Sequence, residues 1–153
     1  TDRPALPREL QELETRHGYG ARPGAHPHLA QLQRELAAYF DGALERFEVP
    51  LHAPGSAFDR QVWDALREVP YGATTTYGAL AARIGRLTAV RAVAAANGRN
   101  RLAILIPCHR VIGRDGQLVG YGGGMQRKAR LLALEREARA ARSGDAGTQL
   151  ALC

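Results

Sequence analysis

Residues 74–98 read TTTYGALAARIGRLTAVRAVAAANG, and this stretch decides how the fold is interpreted. The threonine hydroxyls at its start can cap a helix over residues 77–84, which Gly85 would end. A second helix, rich in alanine, is predicted over residues 88–97. Two short helices around a glycine turn are typical of a helix-turn-helix, although alanines also suit plain core packing.

Residues 106–113 read Ile-Pro-Cys-His-Arg-Val-Ile-Gly and follow an apolar run, residues 104–106, that we interpret as a buried strand. Neighbouring positive charge or a histidine can convert a thiol into a reactive thiolate, so Cys108 is a candidate nucleophile. The alternative is a core cysteine that happens to precede His109, since free cysteine is among the most buried residue types. Pro107 stiffens the backbone just before the thiol and favours the nucleophile.

The composition is that of a globular protein of one domain or two small ones. The chain has 153 residues, of which 45% are hydrophobic and 24% charged. No apolar run approaches the ~20 residues of a membrane span, and the polar start does not resemble a signal peptide. We therefore expect a cytoplasmic protein, bacterial and associated with the nucleoid, in which Cys108 is a free thiol rather than paired with Cys153.

The net charge of +6 is concentrated in the middle of the chain. Between Arg60 and Arg130 there are twelve basic residues against three acidic ones, and the chain's only lysine, Lys128, is among them. Such a stretch suits a polyanion such as DNA, but an ordinary solvated basic surface would have the same composition.

Further helices and loops are predicted on both sides of these motifs. Helices are expected over residues 6–17 and 28–40, from Ser56 as N-cap, and over residues 126–137. The glycine-rich residues 120–124 form a loop that allows close approach to a ligand. The resulting division is residues 1–54, a partial N-terminal domain and linker; residues 55–138, the main domain; and residues 139–153, a disordered tail.

Several motifs then occur in a familiar order. They are Tyr71-Gly72, Thr75-Thr76-Tyr77-Gly78, Val90-Arg91-Ala92-Val93, Asn97-Gly98-Arg99-Asn100, residues 104–113 and Gly120-Tyr121-Gly122-Gly123. Together, from Phe58 to Glu135, they resemble the O6-alkylguanine-DNA alkyltransferases, also called methylated-DNA–protein-cysteine methyltransferases. The resemblance implies an α+β, mostly helical fold. Its C-terminal catalytic domain would be a winged-helix-like helix-turn-helix, preceded by a truncated or partial N-terminal α/β domain.

The resemblance also assigns the chemistry. Cys108 would attack the alkyl carbon on guanine O6 and keep the group as a thioether, in a single irreversible turnover. His109 would act through a water as the base for the thiol, and Glu135 would orient the imidazole. Asn100 would brace the turn that holds the thiol, and the Tyr77 hydroxyl would donate to guanine N3.

A guanine stacked in duplex DNA cannot reach a buried thiol, so the resemblance implies nucleotide flipping from the minor groove. Arg91 would insert into the gap, and Tyr77 would crowd the target phosphate. By charge and position, Arg86 and Arg114 are expected to contact phosphates. The residues expected around the flipped base are Val111, Tyr121 and Gly122.

The chain departs from the family pattern in a few places. Arg101 and Leu87 stand where many relatives have proline, and the sheet expected at the start of the N-terminal domain is not visible. Four histidines lie in the first section without a cysteine near them, so we predict no metal. No cofactor is expected for this chemistry, and we expect a monomer.

Three other functions are compatible with parts of the sequence. A non-catalytic alkyltransferase-like lesion binder would lack the nucleophile, which Cys108 supplies. A helix-turn-helix regulator would leave the cysteine octet unexplained. A cysteine hydrolase would need an oxyanion hole and a histidine usually distant in sequence, whereas His109 is adjacent to the thiol.

Overall fold

The computed structural model describes the backbone of residues 5–20 and 22–149, and the side chains of residues 10–20 and 22–143. Within these residues the fold is α+β and mostly helical, with one two-stranded parallel sheet. In chain order the elements are α1 (Ala5–His17), α2 (Pro27–Phe40), α3 (Ala57–Arg67), β1 (Thr75–Thr76), α4 (Tyr77–Arg83), α5 (Val90–Gly98), β2 (Val111–Ile112) and α6 (Met125–Gln149).

Helices α4 and α5 form as the sequence predicts, with boundaries that differ by one or two residues. The hydroxyl of Thr76 caps α4 by accepting from the backbone N–H of Ala79 at 3.1 Å. Gly85 ends the helix with a φ of +68°, in the left-handed region that glycine adopts without steric cost. The two helices therefore meet around a tight turn.

The capping of α3 confirms Ser56 as its N-cap. The Ser56 hydroxyl accepts from the N–H of Asp59, whose carboxylate reaches back to the N–H of Ser56, a reciprocal capping box. The buried face of α3 packs on α4 and α5, and the indole of Trp63 donates to the carbonyl oxygen of Ala96 at 2.9 Å. The main core, which includes Cys108, forms around this face.

The short sheet positions the cysteine octet. Strand β1 leads directly into α4, whereas β2 directly follows a 3-10 turn over Cys108–Arg110. The two strands pair in parallel with Thr75 opposite Val111. This pairing brings the first residue of α4, Tyr77, to the same side of the core as the thiol.

The strand predicted over residues 104–106 is wrong. Ile104 has a φ of +76°, which is unusual for a β-branched residue, and a single bridge joins Ala103 to Ile106. The reason is Asn100, whose amide donates to the carbonyl of Ile106 at 2.9 Å and accepts from the N–H of Leu102 at 3.0 Å. These two bonds close the segment into a turn.

A second core joins the first section of the chain to the rest. Tyr39, Phe47 and Val49 are buried with Tyr71 and with Leu131 of α6. Within the described residues, the buried side chains of the first section thus share their core with Tyr71 and α6. The cluster crosses the boundary predicted at residue 54.

The prediction of a disordered tail from residue 139 is wrong for residues 139–149. Helix α6 continues to Gln149, and the guanidinium of Arg142 binds the carboxylate of Glu45 at 2.7 Å and the carbonyl of Gly42. Alanine and arginine favour helix strongly, and this outweighed the polar composition. The remainder of the predicted tail, residues 150–153 with Cys153, lies outside the described residues. Among those described, no helix has both the length and the apolar character for a membrane span.

Candidate active site

The thiol of Cys108 lies at the start of a tight turn directly after Pro107. The backbone N–H of Cys108 donates to the carbonyl of Ile106 at 2.8 Å, and that of Arg110 donates to Pro107 at 3.0 Å. Cys108 is a free cysteine and only 5% exposed. The turn therefore holds the sulfur in a fixed place at the edge of the main core.

Burial raises the pKa of the Cys108 thiol, because the charged form is poorly solvated there. The side-chain amide of Asn100 and the positive charge of Lys128 act in the opposite direction and favour the thiolate. Asn100 thus lies near the thiol and bonds to the segment before it, and its bracing role stays a prediction.

His109 and Glu135 form a fully buried pair. Nε2 of His109 lies 2.9 Å from Oε1 of Glu135, and neither side chain is exposed. The other ring nitrogen, Nδ1, is buried and has no hydrogen-bond partner among the described residues. Since the carboxylate can only accept, the geometry places the Nε2 proton between the two groups and leaves Nδ1 as the basic nitrogen.

Glu135 accepts hydrogen bonds from four further donor groups besides His109. The Tyr39 hydroxyl donates at 2.8 Å, the N–H of Gly72 at 3.0 Å, and Arg110 donates through Nε at 3.0 Å and Nη2 at 2.8 Å. Burial alone would raise the pKa of Glu135, but the bonds from His109 and Arg110 outweigh it and hold the pKa at about 2. Glu135 is therefore anionic at neutral pH.

Arg110 and Tyr39 are functional candidates that the sequence analysis missed. Arg110 was counted only as a positive charge near the thiol, yet it is 5% exposed, pairs with Glu135 and donates to the carbonyl of Val69 at 2.6 Å. Tyr39 lies 96 residues from Glu135 in sequence. The sequence shows Arg110 beside the thiol but not its pairing with a buried carboxylate. No local signal in the sequence indicated Tyr39.

Two tyrosines and the glycine loop surround the thiol. Burial raises the pKa of Tyr77, and a negative charge on nearby Cys108 raises it further, whereas a hydrogen bond with Asn97 lowers it. Burial and the charge of Cys108 also raise the pKa of Tyr121 to about 12. The Tyr121 ring meets that of His109 edge-on at 6.5 Å between centroids. A Cβ atom on Gly120 would stand 3.7 Å from the Tyr77 hydroxyl, so the loop lies against α4.

The structure thus brings together Cys108, His109, Glu135, Asn100, Tyr77 and Tyr121. Val111 is fully buried in the same core, and its carbonyl accepts from Lys128. Gly122 lies in the adjoining loop and is exposed.

The arginines predicted to bind DNA lie outside this cluster. Arg91 is exposed near the start of α5, on the side opposite the buried Val93 and Ala96. Arg86 and Arg114 are also exposed, the first in the turn before α5 and the second in the turn after β2. All three guanidinium groups are therefore available to a polyanion.

A cavity of about 400 Å³ lies elsewhere, between Tyr19, His52 and Trp63. None of the predicted site residues lines it. Its lining is mixed polar and apolar and contains no group that would act on the thiol. Geometry and chemistry both favour the Cys108 cluster over this cavity as the active site.

Comparison with known proteins identifies the family of the chain. Residues 57–137 match the family model described as 6-O-methylguanine DNA methyltransferase, DNA binding domain. A methylated-DNA–protein-cysteine methyltransferase of Mycolicibacterium paratuberculosis is 51% identical over 122 residues, which cover 80% of this chain and 72% of the relative. Its counterpart in Mycobacterium leprae is 50% identical over 107 residues, 70% of this chain and 65% of the relative.

Solved structures are similar as well. The crystal structure of Mycobacterium tuberculosis OGT in complex with DNA is 47% identical, with a TM-score of 0.73 over 80% of this chain and 74% of that one. An O6-methylguanine-DNA methyltransferase from Pyrococcus kodakaraensis is 30% identical, with a TM-score of 0.70 over 86% and 77%. The chain belongs to the 6-O-methylguanine DNA methyltransferase family.

Proposed function

We propose that this chain repairs DNA by direct reversal, moving an alkyl group from guanine O6 in duplex DNA to Cys108. The Cys108 sulfur forms a bond to the alkyl carbon while the bond from that carbon to O6 breaks, and the electron pair of the broken bond goes to O6. In net terms the thiol proton moves to the guanine and the alkyl group to the sulfur. The atoms balance without any cofactor, and the thioether is too stable to regenerate the thiol.

The observation that carries the proposal is the buried His109–Glu135 pair, which directly follows Cys108 in the chain and shares Tyr121 with it as a neighbour. Glu135 orients the ring through Nε2, so Nδ1 is the nitrogen available to take the thiol proton, through a water as the resemblance implies. Tyr77 would donate to guanine N3 as charge develops on the departing purine. Val111, Tyr121 and Gly122 would form the walls and backbone contacts around the base.

DNA binding is proposed on the arginine-bearing face. The α4–α5 unit would act as a winged-helix-like helix-turn-helix in the minor groove, where Arg91 replaces the flipped nucleotide and Arg86 and Arg114 bind phosphates. Residues 55–138 would be the catalytic domain and residues 1–54 a partial N-terminal α/β domain, acting as a monomer. A lesion that can occur beside any base suits the degenerate minor groove.

The direct test is intact-mass measurement after exposure to duplex DNA that contains O6-methylguanine. We expect one added methyl group per chain, on the peptide that contains Cys108, and no further reaction with fresh DNA. Continued turnover after the first equivalent would indicate a hydrolase instead, and binding without a mass change would indicate a non-catalytic lesion binder. Cys108 itself argues against the second alternative.

Replacement of Arg91 by alanine should slow repair of duplex DNA by roughly tenfold or more, because nothing would offset the unstacking cost of a few kcal/mol. The measurement is the single-turnover rate of methyl transfer. Reaction with free O6-benzylguanine, which needs no flipping, should be unchanged. Arg83→Ala is the matched control, since Arg83 is an exposed arginine on the neighbouring α4. A variant as fast as wild type on duplex DNA would remove Arg91 from the flipping step.

A further inference from the structure

Lys128 is a fully buried lysine whose charge has no carboxylate partner. Its side chain is 0% exposed, and Nζ donates to the backbone carbonyls of Val111 and Val119. No ion pair joins it to an aspartate or glutamate among residues 10–20 and 22–143. The other buried cation of the site, Arg110, is neutralised by Glu135. Among the described side chains, the site therefore holds one uncompensated positive charge.

An uncompensated buried ammonium is destabilising, because two neutral carbonyls solvate the charge only in part. Accordingly, burial lowers the pKa of Lys128. The two bonds also leave one of the three N–H donors of the ammonium unused by these carbonyls. A lysine kept in such a place calls for an anion that is not one of the carboxylates.

Cys108 is the group at the site that can most readily become that anion, since burial raises the pKa of the neighbouring tyrosines, Tyr77 and Tyr121. The carbonyl of Val111 binds Nζ, while the N–H of the same residue donates to the carbonyl of Cys108. A single residue thus links the ammonium to the turn that carries the thiol. The coupling works in both directions: the charge of Lys128 lowers the pKa of Cys108, and that of Cys108 raises the pKa of Lys128.

We infer that Lys128 is the counter-ion of the Cys108 thiolate and so sets how much of the nucleophile is ionised before DNA arrives. His109 then removes the proton, and Lys128 stabilises the negative charge that remains on sulfur. Once the sulfur carries an alkyl group it is neutral, and Lys128 loses its partner. This inference deepens the proposed function by adding a charge-stabilising residue to the same site.

The first test compares Lys128→Met with Lys128→Gln and needs no DNA. The rate at which iodoacetamide alkylates the Cys108 peptide is followed by mass spectrometry against pH, which also separates it from Cys153. Both variants lack the charge, and we expect each to react about three- to tenfold more slowly near pH 7 and to approach the wild-type rate at high pH. Glutamine keeps an N–H donor for the carbonyls, so a wild-type profile for Lys128→Gln would overturn the inference and leave Lys128 a structural link.

Arg99→Met is the matched control, because it removes a cation that pairs with Asp59 and is half exposed. Its profile should coincide with that of wild type. A control profile that shifted as far as those of the Lys128 variants would equally overturn the inference, since any lost cation would then suffice. Failure of methyl transfer from DNA with a normal alkylation profile would count against the proposed function alone.

A second test avoids substitutions at Lys128. The chain contains a single lysine, so lysine labelled with ¹³C at Cε gives one resonance whose titration reports Lys128 directly. In Cys108→Ser, which cannot form a thiolate, Lys128 should lose its proton at a pH about one unit or more below that of wild type. Identical titrations in the two chains would show that the charges are independent and would refute the inference.

Discussion

Replacement of Cys108 by serine is expected to abolish alkyl transfer while binding to DNA that carries the lesion persists. A serine hydroxyl is a far weaker nucleophile than a thiolate, so the single-turnover rate should fall by roughly 1,000-fold or more. The added methyl mass should be undetectable, whereas a gel-shift or fluorescence titration with methylated duplex should give an affinity close to wild type. Serine is slightly smaller than cysteine, so the turn over residues 108–110 should be retained.

Cys153→Ser is the control for this experiment, because it removes the chain's other thiol, which lies far from the cysteine octet in sequence. It should be methylated at the wild-type rate. If Cys108→Ser still accumulated a methyl group on another residue, the assignment of the nucleophile would be wrong. If it lost DNA binding as well, the thiol would be part of the binding surface and not only of the chemistry.

Replacement of Glu135 by glutamine should weaken the dependence of the free energy of unfolding on acid pH, and it should also lower activity. The folded-state pKa of Glu135 is about 2 against an ordinary 4.5, so its carboxylate stabilises the fold fully above pH 4.5. That contribution, about 3 kcal/mol from the difference of the two values, is lost as the pH falls from 4.5 towards 2. Glutamine cannot titrate, so the stability of the variant should change less over this range.

The activity loss of Glu135→Gln should be roughly 100-fold or more, because the ring of His109 loses its anionic partner and Arg110 is left unpaired in the interior. Denaturant unfolding at several pH values and the single-turnover rate measure the two effects. Glu137→Gln is the matched control, an exposed glutamate two residues along the same helix. A Glu135 variant with wild-type acid dependence would contradict the role of its hydrogen bonds.

Local patterns predicted those elements whose capping chemistry is local. Ser56 and Thr76 each mark the start of a helix, and Gly85 marks the end of one, through contacts within a few residues. These helices formed as expected. The turn over residues 100–106 could not be read in this way. Its apolar composition suits a strand, and the side chain of Asn100 that closes it competes with backbone pairing. The length of α6 was likewise hidden, because its contacts with Gly42 and Glu45 are about 100 residues distant.

The candidate site follows the same division. Cys108 and His109 are adjacent, so their chemistry could be proposed from the octet and the family resemblance, which also supplied Glu135. The structure pairs His109 with Glu135 directly after Cys108 in the chain, while the catalytic roles of all three stay predictions. The sequence did not indicate roles for Lys128 and Tyr39, because those roles depend on the complete burial of both side chains. On a surface either would be a solvated side chain, and nothing in the flanking residues indicates otherwise.

The hydrogen bond from Tyr39 to Glu135 ties α2 to a carboxylate that the chemistry depends on. The first section is therefore not a passive appendage that can be exchanged at will. A chimera that took these residues from a distant homologue would have to bring a phenol to the same place, or Glu135 would lose one of its buried hydrogen-bond donors. Substitutions at the contact between α2 and α6 should accordingly covary among homologues.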